Sequence, residues 1–345
     1  MKAVMKKIII GLIGLMMVWV VLAVLPRAQA IDGDNPFRSQ SNRPHIIAHA
    51  GGNMEFPDNT LEAYYHAYSI DPNVIMETDV NLTKDGVVVL SHDRTFDRKT
   101  SLINAPVHDI EYQYLIDEKI NFGYENIIDG PNGFNVDGTL IPYVNYRGET
   151  VTPLDVTYPE GISPRDDSIF LATRLEELII AFPNNYMIVE LKQYGEIGDA
   201  LFDAVIELFD RLDDDYNTYQ RIILASFHEQ QFENFKALQN STHPQLLYSP
   251  QETSLRQFYI LQLLRLSVFY RDRPAAFQVP MAQGSVDLTT NLFVASARRH
   301  NIAVHYWTIN DEDEMRKLIE LGVDGIMTDR PTLLKSLLDE YFPES

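Results

Sequence analysis

Three carboxylates in strand-like segments are the first residues of this sequence that could do chemistry. Glu77 and Asp79 stand two positions apart in "VIMETDV" (74–80), so a strand there projects both from the same face. Glu190 interrupts the otherwise apolar segment "YMIVELK" (186–192). Because a buried carboxylate is costly unless it is paired or bound to a metal, the three predict a site for a hard cation, Ca²⁺ or Mg²⁺. The alternative is that each forms a structural ion pair with a nearby Lys or Arg.

Two histidines also end predicted strands. His49 follows "HIIA" and His92 follows "VVVLS". Two imidazoles beside one metal suit acid–base chemistry, since one can take a proton while the other gives one. Taken singly, each could instead be a hydrogen-bonded residue at a strand end. Lys192 falls on the strand face of the third carboxylate, and alternation in a late strand points His305 and Trp307 inward together.

Short apolar runs alternate with amphipathic stretches from His45 onward, which predicts strands joined by helical crossovers and therefore a parallel sheet. The number of repeats favours an α/β fold of the closed (β/α)₈ TIM-barrel type over an open six-stranded sheet. Nine segments are candidates for eight barrel strands, so one must lie on the rim or be misassigned: 45–49, 74–80, 86–93, 186–192, 221–227, 245–249, 276–280, 302–308 and 324–329. Helices are predicted at 60–69, 172–182, 198–212, 229–239, 288–300 and 312–322, and Asn59 with Glu62 resembles a capping box for the first.

Residues 118–170 break this rhythm, because they hold several prolines and glycines and show little periodicity. A loop of that length in a compact domain is usually an insertion with a function. It is predicted to lie over the C-terminal face of the barrel, where TIM barrels gather their catalytic side chains.

The chain resembles the glycerophosphodiester phosphodiesterase family, within the phospholipase-C-like barrel phosphodiesterases. The resemblance covers residues 45 to about 335 and is specific, because many short matches occur in the right order. They are "HAGG" (49–52), "PDNT" (57–60), "ETDVNLTKDGVVVLSHD" (77–93), "DRKT" (97–100), "TRLEELI" (173–179), "VELK" (189–192), "ASF" (225–227), "HYWTIND" (305–311) and "GVDGIMTDRP" (322–331).

The resemblance implies a role for each matched residue. His49 and His92 would form the acid–base pair, and Lys192 would contact the phosphate. The divalent cation would be held by the three carboxylates, Glu77, Asp79 and Glu190. A hydroxyl of the substrate's own glycerol would attack phosphorus, and water would then open the cyclic glycerol phosphate. One histidine would take the proton of the attacking hydroxyl while the other protonates the departing alcohol.

Two positions depart from the family pattern. The family usually has His-Arg-Gly, and here Ala50 replaces the arginine that would contact phosphate with two hydrogen bonds. The usual Pro-Glu-Asn-Thr has Asp58 in place of Glu. The loss of the arginine leaves the phosphate charge to Lys192 and the metal, or to Arg94 or Arg98, and it bears on the substrate. Gly51 is predicted to let backbone and phosphate approach closely, since it has no side chain.

The first 30 residues form a separate segment. Three lysines, Lys2, Lys6 and Lys7, precede an unbroken apolar run at 8–25, and a small-x-small pattern follows at 28–30. This pattern is typical of a signal peptide, and cleavage after Ala30 is favoured over a retained membrane anchor. Either outcome predicts a secreted, periplasmic or otherwise extracytoplasmic protein. Residues 31–44 are polar and predict a linker, so the barrel domain is expected at 45–340.

Composition limits the partners of the chain. The formal net charge of −21 makes a nucleic-acid partner a poor candidate, because phosphates would be repelled. With no cysteine, disulfides cannot contribute to stability.

The sequence therefore predicts a metal-dependent hydrolase of glycerophosphodiesters that releases glycerol phosphate and an alcohol. One alternative is a phospholipase-D-like enzyme acting on lysophospholipids, which would need an apolar groove. The other is an inactive barrel that binds a lipid headgroup. Membrane association is expected through residues 8–25.

Overall fold

A barrel of eight parallel strands forms the centre of the protein, whose computed structural model describes residues 2–124 and 140–343. The strands in chain order are β1 (His45–Ala48), β2 (Ile75–Leu82), β3 (Val88–Leu90), β4 (Met187–Leu191), β5 (Ile222–Ala225), β6 (Leu247–Tyr248), β7 (Ala276–Val279), β8 (Ala282–Gln283), β9 (Val286–Asp287), β10 (Ala303–Tyr306) and β11 (Gly325–Thr328). The parallel neighbours follow the order β6-β5-β4-β2-β1-β11-β10-β7. A hydrogen bond of 2.8 Å from Ala275 N to Tyr248 O joins the two end strands. The predicted TIM-type barrel is confirmed.

Helices surround the barrel. They are α1 (Lys2–Val24), α2 (Leu61–Ile70), α3 (Tyr112–Asp117), α4 (Leu175–Ala181), α5 (Gly195–Tyr216), α6 (Thr218–Arg221), α7 (Glu229–Gln239), α8 (Glu252–Leu263), α9 (Asn291–Arg298), α10 (Glu312–Leu321) and α11 (Pro331–Tyr341). Short 3₁₀ helices cover His49–Gly51, Val107–Asp109, Pro153–Asp155 and Ser267–Phe269. A helix of at least seven residues follows each barrel strand, and two of these, α8 and α11, were not predicted from the sequence.

The ninth strand candidate, residues 86–93, lies on the rim. Its strand β3 pairs antiparallel with the end of β2, with Leu90 opposite Val80. The physical reason is the short connection at 83–87, because a chain can enter a sheet as a parallel neighbour only through a crossover of a dozen or more residues.

Helix α2 begins one residue later than predicted. Its N-cap is Thr60, whose side chain accepts a hydrogen bond from Ala63 N. Asn59 has a φ of 57° and is therefore not the cap. This left-handed backbone turns the Asn59 side chain inward, and its contacts belong to the site described below.

The N-terminal end of the barrel is closed by residues 31–44, the segment predicted as a linker. Phe37 is fully buried and packs with the lowest layer of inward-facing side chains, among them Ile47, Ile75 and Ile188. The buried Asn35 amide donates to two backbone carbonyl oxygens at this end of the barrel, each at 2.8 Å. The segment therefore covers the end opposite to the predicted site.

The predicted insertion at 118–170 is partly described, since residues 125–139 lie outside the described part of the chain. Its described residues pack beside the loop after β1. Tyr143 Oη donates to Asn53 O at 2.8 Å, and Tyr146 N donates to Met54 O at the same distance. Helix α1 lies at the other end of the molecule. Its span from Val4 to Val24 is long and apolar enough to cross a membrane, and no residue of that span is buried.

Candidate active site

The three carboxylates come together at the C-terminal end of neighbouring strands. Alternation along β2 points Ile75 into the barrel floor and places Glu77 and Asp79 above it on the same face. The parallel register then sets Asp79 beside Glu190 of β4. One carboxylate oxygen from each of Glu77, Asp79 and Glu190 lies within 4.8 Å of the others. The geometry is that of a cluster able to share one cation.

One lysine partly offsets the negative charge of this cluster. Lys192 Nζ lies 2.9 Å from Asp79 Oδ1 and 2.8 Å from Glu190 Oε1. Burial alone would raise the pKa of Asp79, but Lys192 holds it below its usual range. Burial raises the pKa of Glu190 despite this lysine. For Glu77, burial and the nearby Asp79 carboxylate raise the pKa to about 8. The cluster therefore carries more carboxylate charge than one lysine can neutralise.

His49 faces the cluster from the end of β1 and is held by a carboxylate from the end of β11. Its Nδ1 lies 2.7 Å from Asp329 Oδ1. Asn310 fixes that carboxylate, because its amide donates to Asp329 Oδ2 at 2.6 Å and its oxygen accepts from Asp329 N at 2.9 Å. Burial alone would lower the pKa of His49, but Asp329 and Glu77 raise it to about 10. The ring is therefore oriented with Nε2 left for other partners.

His92 has the same arrangement at the end of the rim strand β3. Its Nδ1 lies 2.9 Å from Asp93 Oδ1, and Arg98 Nε donates to the other oxygen of Asp93 at 2.6 Å. The hydrogen bond with Asp93 raises the pKa of His92. Its side chain is half exposed, which leaves the ring accessible to a molecule in the mouth. Both histidines thus present Nε2 while a carboxylate holds Nδ1.

Asn59, which immediately precedes the N-cap of helix α2, supports the carboxylate cluster through hydrogen bonds. Its amide nitrogen donates to Asp79 Oδ2 at 3.0 Å. Its oxygen accepts from Asp79 N at 3.1 Å and from Thr78 Oγ1 at 2.9 Å. The neighbouring Asp58 is buried against Arg98 and Lys99, at 3.0 and 2.6 Å, and these cations hold its pKa well below the usual range although burial opposes them. The "PDNT" motif therefore fixes both the cluster and the His92 side of the mouth.

A cavity of about 430 Å³ opens above these groups. It is lined by both histidines, Glu77, Glu190, Lys192 and Trp307. Its outer wall is apolar and includes Phe227, Pro250, Leu255, Pro280 and Leu288. A second, polar lobe shares His49, His92 and Lys192 with it and is lined further by Ala50, Asn53, Asp79, Arg94 and Arg98.

Gly51 does not line either lobe of the cavity. It has a φ of 88°, and a Cβ there would lie 2.7 Å from the Cβ of Ala63 in helix α2. The absence of a side chain is thus explained by the close approach of helix α2. A direct contact between Gly51 and substrate stays a prediction.

Sequence reasoning did not identify three supporting residues, Asp329, Asp93 and Asn59, as parts of the site. Asp329 lies in "TDRP" at the end of the last barrel strand, and a polar residue at a strand end was a usable signal. Its partner His49 is 280 positions away, so nothing local could reveal the pairing.

Paired imidazoles that face a carboxylate cluster at the C-terminal mouth of a TIM barrel are the arrangement expected of a barrel phosphodiesterase. The match to the Glycerophosphoryl diester phosphodiesterase family extends over residues 49–333. The chain belongs to this family and is an enzyme of its kind.

Similar proteins come from bacteria and mammals. A glycerophosphodiester phosphodiesterase of Caldanaerobacter subterraneus is 25% identical over 85% of this chain and 97% of its own length. Human lysophospholipase D GDPD1 is also 25% identical, over 86% of each chain. Among solved structures, the glycerophosphoryl diester phosphodiesterase domain of a Mycobacterium tuberculosis protein matches 85% of this chain and 98% of its own, with a TM-score of 0.60 and 18% identity. The glycerophosphodiester phosphodiesterase of Agrobacterium tumefaciens matches 85% and 99%, with a TM-score of 0.55 and 18% identity. The two structures support the fold.

Proposed function

We propose that the protein hydrolyses glycerophosphodiesters to glycerol phosphate and an alcohol, with a divalent cation and with His49 and His92 as the acid–base pair. The observation that carries this proposal is the placement of two carboxylate-held imidazoles on one cavity with the carboxylate cluster. A binding protein would have no use for two rings whose Nε2 atoms both face the same space.

The residues of the cluster fit a hard divalent cation, Ca²⁺ or Mg²⁺. All the donors are carboxylate oxygens, which these ions prefer. Asp79 Oδ1 is buried and makes no well-oriented hydrogen bond within the described part of the chain, although the Lys192 ammonium is 2.9 Å away. Glu77 forms no ion pair with a lysine or arginine among the described residues, and burial together with the Asp79 carboxylate raises its pKa. A cation held by Glu77, Asp79 and Glu190 would supply the missing charge and stabilise negative charge on the phosphate oxygens.

The histidines would move protons at their Nε2 atoms. One imidazole takes the proton of a glycerol hydroxyl as that oxygen attacks phosphorus. The other donates a proton to the alcohol oxygen as its bond to phosphorus breaks. In the second stage the roles reverse, since the ring that gave its proton now takes one from water and the other returns a proton to the glycerol oxygen. Each ring ends in its starting state.

Lys192 and Arg94 would bind the phosphate in place of the arginine that Ala50 replaces. Arg98 is already paired with Asp58 and Asp93. The Arg94 guanidinium instead lies 4.7 Å from the ring centre of Tyr194 and lines the polar lobe beside Ala50. Arg94 is therefore the cation better placed to meet an anionic group of the substrate.

A lysophospholipid is a second candidate substrate. The apolar wall of the main lobe supports it, because Trp307 and Phe227 pack edge to face with ring centres 5.6 Å apart at the mouth. An acyl chain could lie along such a surface. The human relative is named as a lysophospholipase D. Glycerophosphodiesters without an acyl chain would use only the polar part of the same site.

Purified full-length protein tests the proposal with glycerophosphocholine, glycerophosphoglycerol and lysophosphatidylcholine as substrates. We expect EDTA to abolish turnover and Mg²⁺ or Ca²⁺ to restore it. His49→Ala and His92→Ala should each lower kcat by about 10²- to 10⁴-fold. The exposed His108→Ala is the matched control. Calorimetry should show cation binding to the wild type and much weaker binding to Glu77→Gln.

Two results would contradict the proposal. One is full activity of His92→Ala on every substrate that the wild type hydrolyses. The other is activity that survives exhaustive chelation, together with no cation binding in the calorimeter.

A further inference from the structure

We infer that the barrel carries a second membrane contact, separate from helix α1, on the outer surface formed by α8 and the following 3₁₀ helix. This surface, called the membrane face below, consists of Ile260, Leu263, Leu264 and Phe269. It lies at the N-terminal end of the barrel, away from the site, and the inference does not depend on the proposed chemistry.

The membrane face is unusually apolar for a surface in contact with water. Ile260, Leu263, Leu264 and Phe269 are 51, 53, 54 and 48% exposed. In the same helix, Ser254 and Gln262 are buried at 4 and 2% exposure. The inward side of α8 also includes the fully buried Phe258, whereas three aliphatic side chains at the C-terminal end of the helix face outward. A contiguous apolar surface of this kind marks an interaction site.

Helix α1 lies directly against this surface, which identifies the partner. Trp19 Nε1 donates to Leu264 O at 2.9 Å. The buried Arg27 side chain donates to Ser267 Oγ at 2.9 Å and to Ala23 O, near the end of α1, at 3.0 Å. Trp19 lies five residues before the helix end at Val24, so this contact falls about 7.5 Å inside the apolar helix. If α1 spans a bilayer, the membrane face reaches the depth at which interfacial helices bury their apolar side.

The charge around the membrane face suits an anionic lipid surface. Residues 253–271 contain no Asp or Glu, in a chain whose 345 residues include 49 of them. The same stretch contains three exposed arginines, Arg256, Arg265 and Arg271. Arg256 is paired with Glu252 at 2.6 Å, so Arg265 and Arg271 carry the local positive charge. On a protein with a net charge of −21, this local excess of arginine is the part that lipid phosphates would attract.

The contacts at the predicted cleavage site favour a retained α1. Ala30 is buried, and its N–H donates to His300 O at 2.8 Å. The carbonyl of Ala28 faces His300 Nδ1 at 3.2 Å. The folded chain therefore holds Ala30 against the barrel, while Ala28 and Gln29 are exposed. Lysines at the far end of α1 would keep that end in the cytoplasm and the barrel outside.

The natural absence of cysteine allows a direct test. Single-cysteine variants Leu264→Cys and Phe269→Cys of the full-length protein are labelled with a polarity-sensitive fluorophore and reconstituted in vesicles containing one-third phosphatidylglycerol. The control is Ile103→Cys, at an apolar residue that is 49% exposed in the loop after β3. Nitroxide groups attached to the lipid headgroup region or to shallow acyl positions serve as quenchers.

We expect at least a threefold greater quenching at positions 264 and 269 than at 103, with a blue shift of emission only at the first two. Equal quenching at all three positions, with the protein still floating with the vesicles, would overturn the inference. A blue shift of emission at positions 264 and 269 without quenching by the lipid nitroxides would also overturn the inference. In that case a second copy of the protein, and not lipid, would cover the surface. Loss of flotation would refute the anchor itself, and the inference with it.

Discussion

At the scale of single residues, the site consists of two histidines that are each held by a carboxylate. His49 and Asp329 come from opposite ends of the chain, and His92 and Asp93 are adjacent. In both pairs the contact occupies Nδ1, so the tautomer with a proton there is favoured and Nε2 is left to exchange protons with substrate. We therefore propose that Asp329 is a positioning residue that acts through His49.

Asp329→Asn tests this role. The amide cannot hold the Nδ1 proton as the carboxylate does, so we expect kcat to fall by about 10- to 100-fold with little change in KM. Because Asp329 raises the pKa of His49, its loss should also move the alkaline limb of the pH–rate profile to lower pH. The measurement is kcat and KM from pH 5 to 10, with the exposed Asp313→Asn as the control. An unchanged pH profile with a lower kcat would point to a structural role alone.

At the scale of elements, the sequence predicts what repeats locally and misses what depends on distant contacts. Glu77 and Asp79 could be placed on one face because alternation in a strand is a local property. The apolar run of the rim strand β3 resembles that of a barrel strand. Only the short turn between β2 and β3 indicates that β3 pairs antiparallel and lies outside the barrel. Helix α8 was missed because its apolar residues do not follow one face.

The segment 31–44 illustrates the same limit. Its polar composition predicts a linker, yet Phe37 and Asn35 within it are buried against the barrel. An isolated apolar residue such as Phe37 in a polar stretch gives no periodicity from which burial could be predicted. The packing depends on the open lower end of the barrel, which the local sequence does not reveal. His305 on β10 is the residue through which this segment should affect stability.

His305→Gln tests this contact. His305 is fully buried, its Nε2 donates to Phe37 O at 2.9 Å, and burial lowers its pKa to about 4. Between pH 6.5 and 4 the unfolded chain binds a proton that the folded chain does not, so stability falls as the pH falls through this window. Glutamine can still donate to Phe37 O but does not titrate. From pH 7 to 5 the wild type should lose about 2 kcal/mol more of its free energy of unfolding than the variant, measured by urea denaturation.

His108→Gln, at an exposed histidine, is the control: from pH 7 to 5 it should lose as much of its free energy of unfolding as the wild type does. Equal losses in the wild type and in His305→Gln would show that the imidazole takes up its proton without cost in the folded state.

At the scale of the whole molecule, the site and helix α1 lie at opposite ends of the barrel. The carboxylates and imidazoles lie at the C-terminal ends of the strands, whereas the contacts of α1 involve the ends of α8 and α9, which precede the N-terminal ends of β7 and β10. An anchored enzyme would therefore hold its mouth away from its own membrane. Substrates would reach the mouth from water, which suits a headgroup released from its acyl chains.

This orientation predicts how a lysophospholipid would be hydrolysed. Full-length protein in vesicles is given lysophosphatidylcholine at a fixed total amount while the amount of host lipid is raised. Host lipid withdraws lysolipid from water, so the rate should follow the concentration of free monomer, and glycerophosphocholine turnover should stay constant as the control. A rate that instead follows the mole fraction of lysolipid in the bilayer of the enzyme would contradict the orientation. Such a rate would require the mouth of the barrel to reach the bilayer that α1 spans. The positions of α8, α9 and α1 at the other end of the barrel do not allow this.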